Sequence, residues 1–502
     1  MSERNICLIN DSFPPAIDGV ANAVTNYGTI IATELGKATV VTPYYPEADD
    51  SVFPFPVLRY PSVDMTRLVG YRAGMPFSPE LMQKLEEAHF DLIHSHCPIT
   101  STMVARSLRD RIHVPVVFTY HTKFDIDSAN AVRSRLLREE AARLLVENIS
   151  ACDEVWTVSR GAGDNLRSLG YTGDYLVMPN GVDFPQGRVD EALIREVTGD
   201  FDLPDGLPVF LFVGRMMWYK GIRIILDALA ELDRQGQAFR MVFVGAGNDK
   251  DEIMAYSASL GLDGKVLFSE PIRDRNRIRA WYCRADLFLF PSTFDTNGLV
   301  VREAAACALA SVLVEGSCAA EDVTDGESGF LIQENAASMA AILSGLMNRR
   351  DTVRRVGEGA QRELYISWED AVKRAYQRYD VVIENYRSGR CPQHDRLSDE
   401  FFHGIAKSMD VYNQRRDRQR QLRSELQRDY ASFMTELAGR RMERERITDE
   451  LLHSMNRTRA FLSQTREAQR QARDGLRTDL TGRGLKLAAL LEEFYQHTDR
   501  FL

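Results

Sequence analysis

Two stretches of the chain carry residue types that could act on a polyanion and a hydroxylated ligand together. The first is Val213-Gly214-Arg215-Met216-Met217-Trp218-Tyr219-Lys220-Gly221, which follows an apolar run and precedes a helical pattern. Glycine at such a bend lets backbone approach a ligand closely, and an arginine and a lysine five residues apart can converge on one polyanion, most naturally a diphosphate. A strand-to-helix loop with two solvated cations is the competing reading.

The second stretch is Pro291-Ser292-Thr293-Phe294-Asp295-Thr296-Asn297-Gly298-Leu299-Val300-Val301-Arg302-Glu303. Asp295 and Glu303 flank an Asn-Gly bend from the end of a strand into a helix, and the spacing predicts Glu303 about two turns into that helix. Free N–H groups near Gly298, Leu299 and Val300 would favour an anion. A phosphate held between carboxylates that grip hydroxyls describes a sugar nucleotide. The competing reading makes Asp295 a helix cap and leaves Glu303 facing water.

The elements that must position these residues follow from hydrophobic periodicity. Asn5 to Ile9, Ala38 to Thr42, Leu92 to His94, Val114 to Thr119 and Glu154 to Val158 are short apolar runs separated by amphipathic stretches, the pattern of β-α-β units around a parallel sheet. An irregular segment from Pro179 to Pro208 separates this series from a second one. That second series comprises Val209 to Val213, Met241 to Val244, Val266 to Phe268, Leu287 to Phe290 and Ser311 to Val314, with helices over Ile224 to Leu232 and Asp249 to Leu260. Two consecutive doubly wound domains would form a cleft between the C-terminal ends of their strands.

The motifs in their order resemble the GT-B retaining glycosyltransferases of family 4, over roughly residues 5 to 388. The resemblance rests on Asp11-Ser12-Phe13-Pro14-Pro15-Ala16-Ile17-Asp18-Gly19-Val20, on Thr119-Tyr120-His121-Thr122 and on Val158-Ser159. It continues through Pro179-Asn180-Gly181-Val182-Asp183, Gly214-Arg215 with Lys220-Gly221, Val244-Gly245-Ala246-Gly247 and Asp325-Gly326-Glu327-Ser328-Gly329. It implies α/β architecture with two Rossmann-like domains: residues 1–185, completed by a returning helix 366–388, for the acceptor, and residues 186–365 for the donor. It implies transfer of a hexose from a nucleotide sugar (UDP- or GDP-hexose) to an acceptor hydroxyl, with retention, without a tightly bound cofactor and independent of metal.

The resemblance also assigns roles. Arg215 and Lys220 would bind the donor diphosphate, Glu303 the ribose hydroxyls and Asp295 the sugar ring. Gly214, Asn297, Gly298, Leu299 and Val300 would line the donor, Gly19 would admit the diphosphate to the first domain, and His121 would sit over the sugar. The family's Glu-x7-Glu is here Asp-x7-Glu, one methylene shorter, and Tyr219 stands where an acidic residue often precedes the lysine. Asp11 to Val20 and Thr119 to Asp125 look most like bacterial branches that glycosylate diacylglycerol or phosphatidylinositol lipids. This implies a lipid acceptor at a membrane surface, with a soluble glycan acceptor as the other reading. The amphipathic stretch Ser134 to Leu145 could touch that surface or pack on its own sheet.

Composition bounds these readings. The chain has 502 residues, is 44% hydrophobic and 27% charged, and its apolar runs, such as Leu309 to Val314, are far shorter than a membrane span of about 20 residues. The Met1 to Asn5 start has no signal-like apolar region, so a cytoplasmic location is expected, at the inner membrane face if the acceptor is a lipid. The seven cysteines form no C-x-x-C pair. A formal net charge of −10 disfavours nucleic acid as a partner. From Arg390 onward there are about twenty basic against about eighteen acidic side chains, so the acidity belongs to the first 389 residues.

Residues 389–502 change character. Apolar positions Leu422, Leu426, Tyr430, Phe433, Leu437, then Ile447, Leu451, Met455, then Leu476 and Leu480 recur at helical spacing, with Gly439, Gly475, Gly482 and Gly484 as turn points. This α-helical extension reads as hairpins or a coiled coil, serving self-association through 392–502 or docking of a partner. A different class of function also fits: a catalytically weak scaffold that binds sugar nucleotides and works through this tail.

Overall fold

Apolar runs rich in valine, isoleucine and phenylalanine become strands buried on both faces, because helices cover both sides of a parallel sheet. The computed structural model describes residues 3–16, 18–64, 72–74, 79–121, 135–391, 418–432, 453–457 and 459. In chain order the strands are β1 (Asn5–Ile9), β2 (Lys37–Pro43), β3 (Val57–Tyr60), β4 (Ser62–Asp64), β5 (Arg72–Gly74), β6 (Leu92–Ser95), β7 (Val116–Tyr120), β8 (Glu154–Thr157) and β9 (Leu176–Val177). The later ones are β10 (Val209–Val213), β11 (Arg240–Val244), β12 (Val266–Ser269), β13 (Leu287–Phe290), β14 (Ser311–Val314) and β15 (Phe330–Ile332).

They form two parallel sheets, ordered β3-β2-β1-β6-β7-β8-β9 and β12-β11-β10-β13-β14-β15, with β4-β5 as a separate antiparallel pair. In each sheet the strand order reverses beside the first strand, between β1 and β6 and between β10 and β13. Loops leaving the C-terminal ends of strands flanking such a reversal diverge and leave a crevice. The two motifs singled out in the sequence, Gly214 to Gly221 and Pro291 to Gly298, are those loops in the second sheet.

Each sheet has its own core. In the second, Phe210 to Val213 is buried, and Phe212 packs its ring on Phe243 and Phe290 of the neighbouring strands and Phe290 on Phe288 of its own, with centroids 5.5 to 5.9 Å apart. The helix Ile222–Arg234 lays Ile222, Ile225, Leu226, Leu229 and Leu232 on this core, an i, i+3, i+4, i+7 stripe. The helix Trp368–Arg387, capped by the Ser367 side chain, returns to the first core with Trp368, Val372, Tyr376, Tyr379 and Ile383. Arg378 forks onto Glu154 at 2.9 and 2.7 Å, and Arg4 Nε donates to Asp380 at 3.0 Å.

Strands the sequence reading passed over are short edges: β3 carries Arg59 among its four residues, β9 has two and β15 three. In the tail, the described residues 418–432 and 453–457 are helical, with Leu426, Tyr430 and Met455 exposed. Phe433, Leu437, Ile447, Leu451, Leu476, Leu480 and the four turn glycines lie outside the described residues. Residues 1–395 and 396–502 are separate compact units. Among the described residues no helix is long and apolar enough to cross a membrane.

Candidate active site

The loop after β10 is drawn against the loop after β13 by Gly221, whose left-handed backbone (φ +76°) packs so tightly on the Pro291 carbonyl that a Cβ would collide with it. This close approach places Lys220, buried in the 3₁₀ turn Trp218–Lys220, beside Asp295. Lys220 Nζ donates to both Asp295 oxygens, at 2.6 and 2.8 Å, and Ser292 Oγ donates to Oδ2 at 2.6 Å. The rings of Tyr219, Phe290 and Phe294 surround the ammonium at 5.6 to 5.9 Å. Sequence reasoning placed Lys220 and Asp295 on different parts of a ligand, whereas the structure joins them in an ion pair. Arg215 is exposed on the same loop and makes no ion pair with any described residue.

Asp295 does not cap the following helix. The N-cap of Leu299–Ala306 is Gly298, at φ +55°, with no side-chain bond, and a Cβ there would press on Ala319 at 3.0 Å. Leu299 and Val300 form the helix's first turn, at the crevice, where unpaired N–H groups attract an anion. Both polar atoms of the Asn297 side chain are buried without a partner.

Glu303 is the fifth residue of the helix, a little more than one turn in rather than two, and it is buried rather than facing water. Arg275 Nη2 donates to its Oε1 at 2.5 Å and Tyr282 Oη to its Oε2 at 2.9 Å. Burial and the adjacent carboxylate push the Tyr282 phenol well above its ordinary pKa, so it remains a donor. Arg275 also lies 3.7 Å from Asp183 and stacks 4.5 Å over the Phe184 ring. The sequence reading missed Arg275 and Tyr282, although they are seven residues apart, two turns on one face of the helix Arg275–Arg284.

Across the crevice, the loop after β1 ends in Asp18, which caps the helix Gly19–Ile30 by accepting from Val20 and Ala21 N–H groups at 2.8 and 2.7 Å. A Cβ on Gly19 would meet nothing within 4 Å, so packing within the chain does not require glycine there. Asp11 is absorbed into structure: it accepts from the Thr100 and Ser101 N–H groups at the start of the helix Thr100–Ile112, and from Ser101 Oγ and Tyr60 Oη. Burial raises its pKa.

His121, directly after β7, is buried; its Nε2 lies 2.9 Å from His96 Nδ1 and its Nδ1 lies 3.5 Å from Asn180. His94, 4.0 Å from His96 ring to ring, is held by Tyr379 and Thr119, both at 2.7 Å. Burial disfavours the cation in all three and lowers His121 to about 3, so its imidazole is neutral. Thr122 to Asp125 and the side chains of 134–141 lie outside the described residues.

The loops after β7, β8 and β13 meet. Thr296 Oγ1 donates to the His121 carbonyl at 2.7 Å, and Ser159 Oγ donates to the Thr296 carbonyl at 2.5 Å. The helix Arg160–Ser168 is capped by Ser159, and Glu321 from the other half accepts from the Arg160 N–H at 2.7 Å and from Gly161, while Arg160 reaches Asp322 at 3.1 Å. The residue after Asp295 is therefore tied to His121. Among the described residues no three His, Cys, Asp or Glu side chains, the three histidines included, are arranged to hold a metal ion.

The chain and its fold have counterparts among known proteins. The chain matches the Glycosyltransferase Family 4 model over residues 17–185 and the Glycosyl transferases group 1 model over residues 195–363. It is 29% identical over 332 residues to a D-inositol 3-phosphate glycosyltransferase of Nocardia farcinica, covering 63% of this chain and 72% of that one. It is 23% identical over 407 residues to an alpha-monoglucosyldiacylglycerol synthase of Streptococcus pneumoniae, covering 79% and 90%. Among solved structures, Anabaena Alr3699/HepE in complex with UDP superposes with a TM-score of 0.60 at 18% identity, over 75% of this chain and all of that one. Sucrose-phosphate synthase from Thermosynechococcus elongatus gives 0.60 at 20%, over 76% of this chain and all of that one. With the two matches lying one on each sheet, in order and together spanning more than half of the chain, the protein belongs to the group 1, family 4 glycosyltransferases and has the GT-B fold.

Proposed function

We propose that this glycosyltransferase moves a hexose from UDP- or GDP-hexose to a hydroxyl of a membrane glycolipid precursor, with retention at the anomeric carbon. The observation that supports this reading is the pairing of Lys220 with Asp295 between the two loops that flank the strand-order reversal of the second sheet, with Thr296 of the second loop bonded to the His121 carbonyl. Arg215 and Lys220 take the diphosphate, with the Leu299–Ala306 helix start on one side and the open Gly19 helix start on the other. Glu303 holds the ribose, and Asp295, the Asn297-Gly298 backbone and His121 surround the sugar. On this reading residues 1–185 with 366–388 serve the acceptor, 186–365 the donor, and 389–502 self-association.

A nucleophilic carboxylate is not required. Asp295 is committed to Lys220, and among the described residues no pair of carboxylates is assignable to the two sides of the sugar as in retaining hydrolases. The acceptor oxygen bonds to the anomeric carbon on the face from which the diphosphate leaves. As the bond between the anomeric carbon and the diphosphate oxygen breaks, the departing phosphate oxygen takes the acceptor's proton, and the cations and helix N–H groups stabilise its charge. Neutral His121 contributes a hydrogen bond rather than a charge. Contact between the halves excludes water and limits donor hydrolysis. These steps need no metal ion.

UDP-, GDP- and ADP-sugars scored for nucleoside diphosphate release test the reading. No release from any of them, with or without acceptor extracts, would support the scaffold alternative. The lipid acceptor is supported by the diacylglycerol relative named above. Flotation with anionic liposomes tests it: transfer to a soluble acceptor without lipid binding sinks it. Light scattering after Leu422, Leu426 and Tyr430 are changed to serine tests tail-driven assembly, and an unchanged mass contradicts it.

A further inference from the structure

We infer that Arg275 is a positioning residue that sets Glu303 to read the two ribose hydroxyls of the donor, an inference that rests on the donor site proposed above. A glutamate carboxylate rotates broadly about its last torsion, so one that must meet a rigid diol needs both oxygens held. Here they are: Arg275 takes Oε1 at 2.5 Å and Tyr282 takes Oε2 at 2.9 Å. An ionised carboxylate offers about four acceptor positions, so one remains on each oxygen. The two vacant positions on adjacent oxygens match the two neighbouring hydroxyls of a ribose.

The two donors are not equivalent. Tyr282 is buried in the core and holds its place by packing, with Phe184 and Phe288 against its ring. Arg275 starts the same helix at the surface and keeps its guanidinium in place by stacking on Phe184 and by its contact with Asp183. Asp183 belongs to the segment joining the two halves, so Arg275 ties the ribose carboxylate to the connection about which the halves are set. It also supplies the countercharge that a carboxylate needs at a site only 11% exposed. Lysine could supply the charge but not the planar fork that stacks and bonds at once.

The test is calorimetric titration of the full chain with UDP and GDP and with their 2′,3′-dideoxy forms. Wild type is expected to prefer the ribose form of the nucleotide it binds by about ten- to a hundredfold, the range for hydrogen bonds to a charged group. Arg275→Ala is expected to lose about tenfold on that form, to lose little on the dideoxy form and so to erase most of the preference. Arg275→Lys should recover only part of it. Arg277→Ala is the control, since Arg277 lies on the same helix, is equally exposed and is paired to Glu196 at 2.6 Å; its affinities should equal those of wild type.

Equal loss by Arg275→Ala on both forms, as local unfolding would produce, or no loss on either, overturns the inference and leaves the donor site standing. A wild type that binds neither UDP nor GDP overturns the donor site itself. Binding without any ribose preference overturns the role of Glu303, and the inference with it.

Discussion

Lys220 and Asp295, 75 positions apart in the chain, form a two-point ion pair with a side-chain exposure of only 9% for the lysine and 24% for the aspartate. On the function proposed above, the ammonium assigned to the diphosphate is already balanced by the carboxylate assigned to the sugar. Donor binding would share or transfer that charge.

Asp295→Asn leaves the Lys220 ammonium without its countercharge. Removing one partner of a buried pair costs about 3–5 kcal/mol, and the partial exposure of Asp295 reduces the expected loss to about 1–3 kcal/mol, read as a lower urea midpoint. A bound diphosphate restores a countercharge. UDP, or GDP if that is the nucleotide bound, should therefore raise the melting temperature of Asp295→Asn more than that of wild type.

Lys220→Ala should reduce nucleoside diphosphate release by at least about a hundredfold, as expected when one charge-stabilising donor is removed from a transition state. Thermal unfolding of this variant serves as the check that the loss is chemical. A loss below about fivefold would place the diphosphate charge elsewhere, on Arg215 and the helix starts.

Glu321→Ala removes the carboxylate that accepts from the Arg160 and Gly161 N–H groups, at the start of Arg160–Ser168, from the opposite half. The Ser159 cap remains, so losing the bonds to the Arg160 and Gly161 N–H groups costs about 1 kcal/mol. The functional sign is a greater share of donor lost to hydrolysis rather than transferred, because the halves are held less firmly over the site. Free hexose and glycosylated product measured in one reaction give the ratio.

Acid should destabilise the first half through its histidines. His94, His96 and His121 are buried and neutral, with pKa values below the unfolded value of 6.5. Below pH 6.5 the unfolded chain binds protons that the native one does not, so stability falls with falling pH, to about pH 3 for His121. Each histidine contributes up to about 1.4 kcal/mol per pH unit. Asp11, whose pKa is raised, opposes this, since the native state holds its proton more firmly. His121→Asn should flatten the fall in urea midpoint between pH 7 and pH 5.

The strands legible in the sequence are those whose apolar runs are long enough to be buried on both faces. β1, β10 and β13 begin and end where the runs do, whereas β7 starts at Val116 rather than Val114, after Pro115, which has no N–H for the ladder. The edges β3, β9 and β15 left no comparable run. The Glu303 offset arose because the helix begins only at Leu299, after the left-handed Gly298.

What the sequence alone determined is the local chemistry: Gly214, Gly221 and Gly298 at bends, cations after β10, carboxylates around the β13 loop, and the strand series that makes those bends into crevice loops. Those features depend on neighbours within a few positions. The tertiary structure decided the partners: Lys220 with Asp295, Glu303 with Arg275 and Tyr282, His121 with His96 and Thr296. Each of these pairs joins residues at least 21 positions apart. Which of many possible charges and hydroxyls meet is set by strand order and by how closely one glycine lets two loops approach, and neither is written in the spacing of residues along the chain.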